Sequence, residues 1–233
     1  MSPNRRAALT TGALLIAATA ASLASSTVEH PVRTGMADLA AIPANAARVS
    51  AGGLTELAAA AASVGIAVAL YPVLRKRSAG LALGAVVFRT IEAVMYAVAA
   101  VITLSLPGVA RQYAQTAAPG RTGIQAIGDT LTGVRQDAIL AGVLAYIVGA
   151  LMYYCVLYRS RLVPRWLAGW GIAAEVPMLV ACLSAAFTHN PVNSYTVLIL
   201  PIAVQEIALA AWLIVRGFSP RTVEARPLAS RAA

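Results

Sequence analysis

Val87-Phe88-Arg89-Thr90-Ile91-Glu92 sets a permanent cation and a carboxylate inside the third of six long apolar runs. An ionisable side chain at the centre of a bilayer costs about 2.5–3.5 kcal/mol on insertion scales, so one retained there has a task. Arg89 and Glu92 stand three apart and share a helix face. Tyr96 and Thr103 continue that stripe at i+7 and i+14 from Arg89. Glu175 and Glu206 fall at similar depth in the fifth and sixth runs, with Gln205 beside Glu206. One cation and three carboxylates, carried by three helices, are expected at one level.

The rest of the chain explains why that level is the membrane interior. Its 233 residues are 59% hydrophobic and only 12% charged, and the mean hydropathy is +0.74. A soluble domain needs a polar stripe on each helix, whereas most of these runs are apolar all round. Alternating ten-residue strand patterns are missing, which excludes an outer-membrane barrel. The net charge of +9 sits in short loops between apolar runs, where it sets topology; no nucleic-acid partner is expected. Cys155 and Cys182 have no metal-ligand spacing, and neither metal nor cofactor is expected. Helical rise places these cysteines about 20 Å apart, beyond the roughly 4.4–6.8 Å between alpha carbons that a disulfide spans.

The reading is all-α: a single six-helix transmembrane bundle, with the bilayer as its partner. Spans are expected over residues 7–25, 51–74, 80–106, 138–157, 166–187 and 195–215. Arg5 and Arg6 before an apolar run resemble a signal peptide, but that run of about 19 residues exceeds the usual 7–15 and suits an uncleaved first helix. Residues 27–50 form an external loop carrying Glu29, His30, Arg33, Asp38 and Arg48, with interfacial helical turns expected over 36–42. Glu56 lies near the outer end of the second span, within reach of headgroups. Pro107 and Gly108 are expected to close the third span, leaving 109–120 as loop. The spacing Ile124, Ile127, Leu131, Val134 then predicts a short external helix, or an outward extension of the fourth. Arg135 belongs to that outer segment. Gly142, Ala145 and Gly149 offer a small packing face, as do Gly80 and Gly84, while Tyr153, Tyr154 and Tyr158 mark the inner interface. Pro177 is expected to kink the fifth helix beside Glu175. Residues 219–233 read as a disordered tail.

Orientation follows from basic residues. Arg5, Arg6, Arg75, Lys76, Arg77, Arg159, Arg161, Arg165, Arg216, Arg221, Arg226 and Arg231 fall on one side. Arg33, Arg48, Arg111, Arg121 and Arg135 are spread over longer segments on the other, with acids among them. Both termini are therefore expected to be cytosolic. Arg75, Lys76, Arg77, Arg159, Arg161, Arg165 and Trp166 are the expected headgroup contacts.

Four motifs carry a resemblance: Leu70-Tyr71-Pro72-Val73-Leu74-Arg75, Phe88-Arg89-Thr90-Ile91-Glu92, Leu157-Tyr158-Arg159-Ser160-Arg161-Leu162-Val163-Pro164-Arg165-Trp166, and Gln205-Glu206. Together they resemble the bacterial membrane family known as domain of unknown function 4386, over about residues 5–218. The resemblance implies a six-helix protein of the bacterial cytoplasmic (inner) membrane. It implies no activity, and Glu175 lies outside the matching motifs.

Two readings fit the central charges. At 1.5 Å per residue, Arg89, Glu175 and Glu206 each lie roughly 14 Å from their cytosolic helix ends, with Glu92 a turn deeper. In the first, which the sequence favours, they form a non-catalytic packing network, Arg89 bridging Glu92 and Glu206. In the second, one arginine cannot neutralise three carboxylates, and the surplus serves protons or a small cationic ligand in a proton- or cation-coupled transporter. A cavity reaching Glu92 or Glu206 separates the two. An intramembrane enzyme is less favoured, because Cys182, Ser184 and His189 form no recognised nucleophile motif, and two loop histidines, His30 and His189, with Glu29 make a weak metal set.

Reporter fusions after Arg77 and Arg161 are expected to read as cytosolic, and fusions after Gln115 and Asn190 as external. One reversed site would remove a span.

Overall fold

A computed structural model of the chain describes residues 2–28 and 38–219. The expectations for Glu29, His30 and Arg33, and for residues 220–233 with Arg221, Arg226 and Arg231, lie outside the described residues. Six α-helices account for most of the rest: α1 Pro3–Val28, α2 Ala46–Leu74, α3 Ala79–Gln115, α4 Ala118–Ser160, α5 Arg165–Thr188 and α6 Thr196–Val215. Short 3-10 turns, Pro43–Asn45 and Val192–Tyr195, lead into α2 and α6. Five segments are long and apolar enough to cross a membrane: Pro43–Leu74, Ala79–Gln115, Ala118–Ser160, Arg165–Thr188 and Val192–Val215. The protein is thus a helical, multi-pass membrane protein by length and composition.

Each helix packs on its neighbours in sequence, and α6 closes against α1. The six make a closed ring rather than a layered bundle. Local chemistry fixes the corners at the end bearing Arg75–Arg77, called here the basic end. Ser78 caps α3 by accepting from the Leu81 N–H at 3.4 Å. Arg161 turns left-handed at φ 53° and ends α4, so Leu162 and Val163 drop into the core while Arg159, Arg161 and Arg165 stay outside. Arg165 lies over the Tyr158 ring, 5.4 Å from its centroid. The Tyr-Arg-Ser-Arg-Leu-Val-Pro-Arg-Trp motif is therefore a helix–helix corner with two apolar pegs. The ring closes where Arg5 of α1 donates to the carbonyls of Leu213 and Ile214, at 3.2 and 2.7 Å. These are terminal carbonyls of α6, where a cation also suits the helix dipole.

Three expectations are corrected. The third helix does not end at Pro107 but runs to Gln115. Leu106, Pro107 and Ala110 are buried, and Leu106 and Ala110 pack with Leu39, Ile42 and Val49 in a second apolar cluster at the far end. That packing offsets the backbone bond proline removes. Tyr153 and Tyr154 are not interfacial: they are 1% and 0% exposed and belong to the main core, and only Tyr158 of the three is exposed. Of the Gly80 and Gly84 pair, only Gly84 faces a close neighbour, Met152 of α4. The extended fourth helix is observed, 43 residues without a break. At 1.5 Å per residue it reaches about 65 Å, well past a core about 30 Å thick. Both cysteines are free thiols.

A methyl group on Gly171 would meet the Tyr154 ring at 2.6–2.7 Å, whereas one on Gly108 meets nothing within 4 Å. Gly171→Val is expected to cost about 1–3 kcal/mol as overpacking, seen as a clear fall in melting temperature. Gly108→Ala should melt like the parent.

Candidate functional site

Arg89 and Glu92 sit where α3 faces the inside of the ring, 2% and 3% exposed. Arg89 Nη1 lies 3.1 Å from Glu92 Oε2, and that oxygen also accepts from Ser63 Oγ of α2 at 2.8 Å. The ion pair lacks hydrogen-bond alignment: Nε and Nη1 of Arg89 make no hydrogen bond among the described residues. The guanidinium instead lies over Tyr146 of α4, 4.7 Å from the ring centroid. Tyr146 then donates its hydroxyl to Glu206 Oε1 of α6 at 2.9 Å. Between Arg89 and Glu206 there is a tyrosine rather than a direct ion pair. Glycines make room for this arrangement. At Gly149 a methyl group would stand 3.3–3.4 Å from the Arg89 stem, and at Gly142 2.9 Å from the Tyr96 ring.

A second charged layer lies nearer the far end. Arg135 of α4, 2% exposed, places Nη2 3.1 Å from Glu56 Oε1 of α2. Its Nε donates to Thr103 Oγ1 of α3 at 2.7 Å. Thr103 in turn donates to Ala99 O at 3.1 Å and approaches Glu56 Oε2 at 3.5 Å. Glu56 is therefore held by an arginine rather than by headgroups, and Arg135 is inside the ring rather than on an outer surface. Helical spacing carries the missed signal. Glu56, Ala59 and Ser63 fall at i, i+3 and i+7, and Arg135, Ile139 and Tyr146 at i, i+4 and i+11.

Between and around the two layers is a cavity of about 480 Å³, lined from all six helices. Arg89, Glu92, Tyr96, Tyr146 and Glu206 line its inner part, Glu56 and Arg135 its middle, and Thr19, Ser22, Asn193 and Thr196 its far end. Ser22, Asn193 and Thr196 are exposed. Apolar walls come from Ile139, Val143, Met178, Ile199 and Ile202.

Two of the sequence-derived residues lie off the cavity. Gln205 is fully buried on another face of α6, where its Oε1 accepts from Tyr154 and its Nε2 donates to Leu167 O at 3.0 Å. Glu175 is 2% exposed, and neither carboxylate oxygen has a hydrogen-bond partner among the described residues. It stays within electrostatic range of Glu206 and Arg89, and Met178, one turn along α5, does line the cavity. The basic residues Arg75, Lys76, Arg77, Arg159, Arg161 and Arg165, with Trp166 beside them, are at the basic end; all are exposed. Cys182 is buried, Ser184 half-buried and His189 exposed, and no hydrogen bond joins them among the described residues.

A ring of helices, five of them with the length and composition of membrane spans, around a cavity with carboxylates and arginines in its wall marks a multi-pass membrane protein. The chain belongs to the family described as Domain of unknown function (DUF4386), whose profile matches residues 10–217. Neither a curated protein nor a solved structure matches it.

Arg89→Ala is expected to cost about 3–5 kcal/mol, because it strands buried carboxylates, and to lower the yield of folded protein in detergent. Adding Glu92→Gln should recover part of that loss. Arg135→Ala should behave alike and be partly rescued by Glu56→Gln. A wild-type melting curve for either single arginine variant would contradict its place inside the ring.

Proposed function

We propose that this is a non-catalytic, six-span protein of the bacterial cytoplasmic membrane that carries a small solute through its central cavity, coupled to protons or a cation. In this reading α1 also spans the membrane, which brings the spans to six, and both termini are cytosolic. The observation that supports it is the cavity of about 480 Å³ with Glu92 and Glu206 in its wall. A charge network that only fixed packing would be filled, because protein interiors are close-packed and voids forfeit contacts. Carboxylates lining a mid-membrane cavity are the usual equipment of coupled transport.

The asymmetry of the ring supports an outward-facing arrangement. The far end holds the exposed residues Asn193 and Thr196 at the cavity's edge. The basic end is closed by buried side chains: Tyr153, Tyr154 and Leu157 of α4, Leu162 and Val163, and Leu167 of α5. Tyr154 to Gln205 and Gln205 to the Leu167 carbonyl tie α4, α5 and α6 together there. Solute release on the cytosolic side would require those bonds to part.

The test uses proteoliposomes with an entrapped pH dye, an imposed proton gradient and a panel of small charged and zwitterionic solutes. At least one solute is expected to speed collapse of the gradient with the parent protein, and none with an equally folded Glu206→Gln variant. A gradient indifferent to every solute, or the same response in the variant, would contradict coupling through Glu206.

A further inference from the structure

We infer that the ligand of the cavity is an amphipathic organic monocation, a single ammonium head on an apolar body, with the head seated at Glu206. This rests on reading the cavity as a solute site and names the class of solute. Among the described lining residues, three carboxylates face two arginines. Arg89 is paired with Glu92, and Arg135 with Glu56. Glu206 is the one with no arginine at ion-pair distance among the described residues; its Oε1 accepts from the neutral Tyr146 hydroxyl. Arg89 reaches it only at longer electrostatic range, across Tyr146, and a ligand cation supplies the direct partner through a charge-assisted hydrogen bond.

Other ligand classes fit less well. An anion would meet an excess of carboxylate over arginine, and each arginine already has a carboxylate at ion-pair distance. A bare divalent ion needs several oxygen ligands at short range, and no group of three or more His, Cys, Asp or Glu able to hold a metal occurs among the described residues. A bare monovalent ion would leave most of the volume to water against apolar walls. Those walls, Ile139, Val143, Met178, Ile199 and Ile202, match a hydrocarbon or aromatic body. Tyr96 and Tyr146 add aromatic surface to that lining. The volume lies within the roughly 300–1,000 Å³ of sites for drug-sized molecules.

The test is calorimetry on the full chain in nanodiscs, with empty nanodiscs subtracted to remove partitioning. Three probes share one body and differ in the head: 4-phenylbutylamine, 4-phenylbutanol and 4-phenylbutyrate. The amine is expected to bind saturably, roughly ten- to a hundredfold tighter than the alcohol, with the carboxylate weakest. Glu206→Gln should remove the preference for the amine, bringing its affinity down to that of the alcohol. Ala203→Trp, which fills the cavity beside Glu206 and keeps every charge, should abolish binding of both. Thermal melts establish that each variant folds. If the three heads bind alike, or the carboxylate binds best, the cation is overturned and the solute cavity stands. If the amine binds Glu206→Gln as tightly as the parent, the seat at Glu206 is overturned. If none of the probes binds, the monocation is overturned; Ala203→Trp then reads the cavity itself, since a melt unchanged by that bulky side chain still requires open space there.

Discussion

The constraint on which the structure depends is that Arg89 cannot lose its charge and cannot leave the membrane interior. Arginine remains protonated in proteins, and a central position costs about 2.5–3.5 kcal/mol on insertion scales. Its surroundings answer that cost from four helices. Glu92 pairs with it from the same helix face, and Ser63 holds the Glu92 carboxylate from α2. Tyr146 of α4 supplies a ring face, an interaction worth about 2 kcal/mol when desolvated, and its hydroxyl passes the contact on to Glu206 of α6. Gly149 is bare because the Arg89 stem runs across it. One cation thus specifies how α2, α3, α4 and α6 meet.

The Arg135, Glu56 and Thr103 layer repeats the solution nearer the far end, again joining α2, α3 and α4. Between them the two layers brace the α2–α3–α4 side of the ring. The opposite side, α5, α6 and α1, contributes mostly apolar or small polar lining, with Glu206 as its charged member. The charge-paired wall and the wall carrying Glu206 face each other across the cavity. The Arg5 contacts to the end of α6 tie α1 to α6, and α1 also packs along α2, so the ring is closed on both sides of α1.

Much of this was legible in the chain. The apolar runs, the basic loops and the Arg89–Glu92–Tyr96–Thr103 stripe are periodic features, and the helices carry them where the period says. Arg135 was harder to place because Gln125, Asp129 and Asp137 surround it and make the segment read as aqueous; only the partner Glu56, 79 residues away, puts it inside. Pro107 misled for a related reason: a helix stop is a local signal, and the cluster of Leu39, Ile42 and Val49 that overrides it is not local. Tyr153 and Tyr154 read as interfacial by position along the helix, yet closure of the ring buries them. The cavity itself has no signature in sequence, since space between helices depends on which faces meet and how closely.

The central claim is that the ring encloses a water-accessible chamber reaching from the far end down to Glu206, with the basic end sealed. A single-cysteine comparison on α6 tests it most directly, with Cys155 and Cys182 replaced by alanine to remove background. Cysteine at Ala203, which lines the cavity a turn before Glu206, should react with a membrane-impermeant thiol reagent added to the outside of intact cells, and cysteine at Leu209, buried toward the basic end, should not. Silence at both positions would mean that the polar centre is sealed within packed helices, and the chamber would have to be given up.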